Sequence, residues 1–158
     1  MRFFKLLIYV LGVAVLQTVI FSRLSFLGVT PDLILVSVVA FAVLEERSPA
    51  TFFSAALGFT QDLFSSGIYL NVIIKTVVSN VISSVKEGFM GDEYGFTAGM
   101  VAVFTPLCLL LEGLALSLVF QKQYDPAFII FKMAAATIYN LLLVPVIFPA
   151  VKWATHAE

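Results

Sequence analysis

The chain has 158 residues, of which 61% are hydrophobic, 14% aromatic and only 12% charged, with a formal net charge of -1. A soluble domain is about 45–50% apolar and about 25% charged, so this chain has too little polar surface to cover a water-facing globule. Soluble enzymes, disordered tails and basic nucleic-acid binders are excluded, and the one cysteine, Cys108, excludes a disulfide framework or a cysteine zinc site.

Mean hydropathy is +1.05, and at about 20 residues per helical crossing the length allows at most six or seven spans. The reading is an all-α polytopic membrane protein with one integral domain and six transmembrane helices, over residues 3–21, 31–44, 49–64, 68–85, 95–120 and 126–151. The first run follows Arg2 and Lys5 as a signal peptide would. No small-residue cleavage site follows it, so it reads as an uncleaved span. After a polar break with Arg23 and Gly28, Thr30-Pro31-Asp32 reads as a helix start. Thr30 supplies the cap, Pro31 fits the first turn, and Asp32 faces the positive end of the helix dipole. Span two is short and ends at Glu45-Glu46-Arg47. Ser48-Pro49 repeats the cap-plus-proline signal for span three, and Ser65-Ser66-Gly67 turns the chain into span four. The most polar loop runs from Lys86 to Tyr94. Pro106 is expected to kink span five, and Asp125-Pro126 is the third cap-plus-proline start. With only seven residues after Val151, no soluble domain is expected to follow.

Alternate numbering of the spans puts Arg2, Lys5, Arg47, Lys86 and Lys152 on one side of the membrane, against Arg23 and Lys122 on the other. The positive-inside rule then places both termini in the cytoplasm. Four ionisable residues fall inside spans: Asp62, Lys75, Glu112 and Lys132. Each costs about 2.5–3.5 kcal/mol at a helix centre and needs a partner or a wet cavity. All four fall in the outer half, and pairing across tight turns would join Asp62 to Lys75 and Glu112 to Lys132. Gln61, Asn71, Asn80 and Asn140 would add hydrogen-bonding groups. Three readings of this cluster stay open: structural ion pairs that fix helix order, a polar pocket or partner-docking surface facing outward, and a proton or ion relay.

Ser54, Gly58 and Asp62 share one face of span three, and Gly95 and Gly99 share one face of span five. Small-residue faces allow close backbone approach in lipid, so both are expected to pack within the chain. Tyr69, Tyr94, Tyr124 and Trp153 fall where an interfacial aromatic belt would. His156 reads as a solvated tail residue. No nucleophile can be set beside a histidine base in a span, and no metal-ligand spacing or phosphate loop occurs, so neither enzyme activity nor a cofactor or metal is expected.

The segment Gly28-Val29-Thr30-Pro31-Asp32-Leu33, the segment Gly58-Phe59-Thr60-Gln61-Asp62 running on to Leu70-Asn71, and the leading Leu16-Gln17-Thr18 resemble the rod shape-determining protein MreD family over the first half of the chain. The second half matches in hydrophobic layout and length, and Glu45-Glu46-Arg47 departs from the family's loop before span three. The resemblance implies a non-enzymatic scaffold of the bacterial cytoplasmic membrane that binds MreC, a single-span protein. It also implies links to the MreB filament, the RodA glycosyltransferase and its penicillin-binding transpeptidase, and no nucleic acid. The family's fold looks similar to the substrate-binding subunits of energy-coupling-factor transporters. A vitamin-like small-molecule binding subunit is therefore the alternative, with an ion- or lipid-linked transporter or enzyme third. Fold likeness does not decide between them.

Overall fold

In the computed structural model, which describes residues 2–25, 27–64, 69–89, 91–121 and 125–156, the chain is built of helices. They are α1 (Arg2–Val15), continued by a π-helical turn (Leu16–Phe21), then α2 (Leu33–Leu44), α3 (Arg47–Phe64), α4 (Leu70–Lys86), α5 (Glu93–Phe120) and α6 (Pro126–Thr155). Three stretches are long and apolar enough to cross a membrane: Phe3–Phe21, Glu93–Phe120 and Pro126–Thr155. Large apolar side chains cover their outer faces; Phe3, Leu118 and Ile130 are 79%, 82% and 68% exposed. Tyr124 and the Ser65-Ser66-Gly67 turn lie outside the described residues.

The organising element is α2. Every residue from Leu33 to Val43 is buried, because α2 contacts all five other helices. A third of its residues are Val, which gives up side-chain freedom in a helix. Its helical state therefore rests on enclosure and on its caps rather than on propensity. At 1.5 Å per residue its 12 residues reach only about 18 Å.

Each end of α2 is held by a lysine of α4. Lys75 Nζ donates to the carboxylate of Asp32, the α2 N-cap, at 3.1 Å. At the other end Lys86 donates to the Val43 carbonyl at 3.2 Å and to the Glu45 carbonyl, among the C-terminal oxygens the helix cannot use internally. Partial burial lowers the Lys86 pKa, against the pull of Glu45 and neighbouring carboxylates. The two lysines are eleven positions apart, about 16 Å of helix, which matches α2. The two helices therefore run side by side in the same direction.

Helix α3 packs tightly on the start of α4 through the Ser54–Gly58–Asp62 face, and all three residues are buried. A Cβ at Gly58 would come within 2.7 Å of the Asn71 carbonyl oxygen and 2.8 Å of the Val72 Cα. The second small-residue face behaves differently. Gly95 and Gly99 are exposed, and a Cβ at Gly99 would meet nothing within 4 Å. The expected internal packing there is incorrect, because α5 turns its Phe96, Val101, Phe104 and Cys108 side inward instead.

Two helix starts also differ from expectation. The α2 cap is Asp32, whose Oδ1 accepts from Leu35 N at 2.9 Å, while Thr30 is exposed ahead of the helix. Helix α3 begins at Arg47, which puts Ser48 and Pro49 inside its first turn. Asp125 does cap α6, accepting from Ala127 N at 3.1 Å, with Pro126 in the first turn. Helix α5 starts at Glu93 on an Asp92 cap and runs on through Pro106. The two ends of the chain meet: Lys5 Nζ lies 5.4 Å from the centre of the Trp153 ring.

Gly58→Ala should therefore cost about 1–3 kcal/mol by overpacking against α4 backbone, whereas Gly99→Ala should be neutral or slightly stabilising as a helix-interior glycine replaced in open space. Thermal unfolding of the detergent-solubilised variants checks the contrast. Equal midpoints for the two would remove the tight α3–α4 contact.

Candidate functional site

The N-terminus of α2 is the centre of a polar network that reaches it from the five other helical segments. It starts with the backbone between Gly28 and Leu33. Leu27 and Gly28 have φ of 56° and 76°, a left-handed pair that turns the chain toward the bundle. The next residue, Val29, is fully buried. The unwound segment has peptide groups without helical partners, and side chains from other helices serve them. Gln17 serves two: its Nε2 donates to the Pro31 carbonyl at 3.1 Å and its Oε1 accepts from Leu33 N at 2.8 Å. Asn140 serves a third, with Oδ1 accepting from Asp32 N at 2.8 Å, and its own amide donates to Thr105 Oγ1 at 3.1 Å.

Gln17 reaches the segment from the π-helical turn Leu16–Phe21, where the wider winding interrupts the regular α1 ladder. Thr18 is in the same turn, and its hydroxyl donates back to the Ala14 carbonyl at 2.8 Å. Such local departures occur often at functional positions.

The charged part is Asp32, Lys75 and Asp62. Lys75 is fully buried, Asp62 is 1% exposed, and the Asp32 side chain is 24% exposed. Lys75 Nζ binds Asp32 Oδ2 at 3.1 Å and Asn71 Oδ1 at 2.9 Å. Asp62 does not pair with Lys75, which corrects the expected partnership. Its oxygens accept from Asn71 N at 3.1 Å, Asn71 Nδ2 at 2.9 Å and Val72 N at 2.9 Å. Asp62 is thus the cap of α4, supplied from the neighbouring helix, and Asn71 relays between it and Lys75. The physical reason is competition. Free N–H groups at the α4 terminus attract the carboxylate, and Asp32 is left to neutralise the lysine.

Glu112 and Lys132 do not pair either. Glu112 is half-buried on α5, Lys132 is exposed on α6, and both line a cleft of about 220 Å³ between those helices. Gln61 is half-buried next to Asp62 on α3. Asn80, expected near the cluster, lies elsewhere. Its Oδ1 accepts from Arg47 Nε at 3.1 Å and from Thr51 Oγ1 at 3.3 Å. A second, open cavity of about 560 Å³ is formed by Val43, Lys86, Glu87, Phe89, Glu93 and Phe96, at the far end of α2 from the network.

Sequence reasoning leaves Gln17 and Thr105 out of the polar cluster, whereas Asn140, expected to add a hydrogen-bonding group to it, is in the network. The signal for Gln17 is in the sequence: a carboxamide in an otherwise apolar helix is costly unless bonded. Thr105 carried no signal, because its hydroxyl can bond within its own helix. A second buried link, Tyr9 OH to Ser37 Oγ at 2.7 Å with Ser37 Oγ bonded on to the Leu33 carbonyl at 2.7 Å, was also unmarked.

Among the described residues, no group of three or more His, Cys, Asp or Glu is arranged to hold a metal ion. No protein-family model, curated protein or solved structure matches the chain.

Removing one member of the buried ion pair, as in Lys75→Met, should cost about 3–5 kcal/mol, and Asp32→Asn with Lys75→Met together should cost less than the sum. Unfolding free energies in mixed micelles measure the coupling, and a larger coupling between Asp62 and Lys75 than between Asp32 and Lys75 would reverse the assignment. Asp62→Ala should destabilise more than Asp125→Ala. Both remove a helix cap worth about 0.5–2 kcal/mol, but only Asp62→Ala leaves buried donors without water. Matching melting temperatures for the two would contradict the buried cap.

Proposed function

We propose that this chain is a non-enzymatic, six-span scaffold of the bacterial cytoplasmic membrane, of the MreD kind, which binds the transmembrane helix of MreC and helps to organise wall synthesis during cell elongation. The observation that carries the reading is convergence. Gln17, Asp32, Gly58, Asp62 and Asn71 come from the separate motifs that resemble the family. In the structure they meet at one place, the N-termini of α2 and α4. The family-like residues are thus accounted for as the device that holds the bundle together, which suits a scaffold.

The dimensions support six crossings. Helices α3 and α4 have 18 and 17 residues, about 25–27 Å each, close to the core of about 30 Å. The short α2 completes its crossing with the unwound segment before it, which Gln17 and Asn140 keep satisfied. The meeting of Lys5 with Trp153 is in keeping with termini on one side, and the loop charges favour the cytoplasm. Outward faces covered in Phe, Leu, Ile and Val suit lipid and a partner helix. The transporter-subunit reading has weaker support. The polar atoms of the network bond to one another, and the cleft holding Glu112 is smaller than the roughly 300–1,000 Å³ of pockets that enclose a small molecule.

Purification of the tagged chain from its host in mild detergent, with mass spectrometry of the proteins recovered, tests the proposal. The expected result is a single-span protein with a periplasmic domain, together with wall-synthesis enzymes. Recovery of ATPase subunits, or of a bound metabolite alone, would overturn it. A cytosolic chain in fractionated cells would overturn the membrane assignment itself.

A further inference from the structure

Packing within the chain does not account for Gly95 and Gly99. A glycine inside a helix costs about 1 kcal/mol against alanine, and these two share an outward face of α5. A Cβ at Gly99 would meet nothing within 4 Å, and one at Gly95 would meet only the carboxylate of Asp92. Ala98 and Ala102 flank them half-buried, and Val103 and Leu107 continue the exposed line at 58% and 42%. The first half of this long helix thus carries a shallow groove of small residues, whereas Leu110, Leu114 and Leu118 cover it further on.

The groove begins beside a strongly acidic place. Gly95 is flanked in the chain by Glu93 and Phe96, which with Lys86, Glu87 and Phe89 wall the open cavity of about 560 Å³. Glu45, Glu93, Glu46 and Glu87 all lie close enough to act on the Lys86 ammonium, and that ammonium is committed to the Val43 and Glu45 carbonyls. Four carboxylates against one ammonium leave three negative charges in excess. Helices α2 and α4 both finish here and add the negative ends of their dipoles. The positive end of α5 is already answered by Asp92, which accepts from Tyr94 N and Gly95 N at 3.2 and 2.8 Å. Anionic headgroups are repelled from such a place, and lysine or arginine side chains are drawn to it.

We infer that the Gly95–Gly99 face and the acidic cavity beside it form one docking site for the transmembrane helix of a single-span partner, whose basic cytoplasmic flank enters the cavity. Both halves suit the same ligand. Small residues let two backbones approach closely in lipid, and the positive-inside rule puts lysine and arginine at the cytoplasmic end of a neighbouring span. Depth agrees. Helix α5 has 28 residues, about 42 Å, and centred on a core of about 30 Å it overhangs by about 6 Å at each end. Glu93 to Phe96 are then at headgroup level, and Gly99, about 9 Å along, lies about 3 Å inside. The Phe89 ring, 46% exposed in the cavity wall and stacked on Phe96, offers a face on which a guanidinium can lie. The inference rests on the scaffold reading and its orientation, and adds to it the face that the partner occupies.

The test uses the full chain in its host, with a photo-crosslinking amino acid at Val103 or, as a control of similar exposure on α6, at Leu142. Mass spectrometry identifies what each captures. The expected result is a cross-link from Val103 to the cytoplasmic half of the span of a single-span protein, and none to that protein from Leu142. Gly99→Leu fills the groove from open space and should lower recovery of the same protein about tenfold or more, with the unfolding midpoint unchanged. Glu87→Lys reverses an exposed charge at the cavity and should lower recovery about three- to tenfold, with the larger loss at low salt. Ile73→Ala, exposed on α4 away from the site, should change nothing. Capture of a second copy of this chain by Val103, or equal recovery of the partner by Gly99→Leu and the unaltered chain, would overturn the assignment and leave the scaffold reading standing. Recovery of no single-span protein by the unaltered chain would overturn the scaffold reading, and this site with it.

Discussion

A helix of 12 residues buried on every side cannot reach both surfaces of the bundle around it, and so its N-terminus must end inside. The peptide groups there have no partners within the helix. Most of the polar chemistry of this chain answers that one constraint. Gln17 and Asn140 serve the incoming backbone, Asp32 serves the first turn, and Lys75 neutralises Asp32. The charges also balance. Two carboxylates, Asp32 and Asp62, face one ammonium and two helix N-termini, each worth about half a positive charge. The group is close to neutral as a whole, which is how three ionised side chains can be held among apolar neighbours.

The network fixes neighbours as well as charges. For a bundle that lies in lipid, helix packing gains little from the hydrophobic effect, and specific contacts then choose which helices touch. Gly58 brings α3 onto the first turn of α4, and Asp62 then caps that turn. Asn140 and Thr105 join α6 to α5 beneath the same site. Each bond crosses from one helix to another, and none would be satisfied if two helices exchanged places. Ionic groups that select an arrangement in this way need not add net stability.

Much of the architecture was legible because apolar runs and caps are local. Asp125-Pro126 marked the start of α6, and the Ser54–Gly58–Asp62 spacing marked the face that packs. Partnerships were less legible. Nearness in sequence suggested Asp62 for Lys75, but the α4 terminus, which has no signature of its own, competes for that carboxylate. The spacing of Gly95 and Gly99 was equally clear and led to the wrong surface, since periodicity identifies a face without saying what covers it. The π-helical turn that holds Gln17 has no local sequence signature, and the backbone groups that Gln17 reaches are fourteen and sixteen residues away. Asp32 was read as an ordinary first-turn acid, and only the packing of α4 against α2 shows it to be half of an ion pair.

The lysines at the two ends of α2 have a mechanical consequence. Sliding α4 by one turn, about 5.4 Å, would pull Lys75 from Asp32 and Lys86 from the Val43 carbonyl at the same time. Helices that ratchet past one another need two such sets. The central pair is therefore clamped against axial motion, like a rod pinned at both ends. Mechanical input to this protein would be carried by the bundle turning or tilting as one piece rather than by its parts shifting within it.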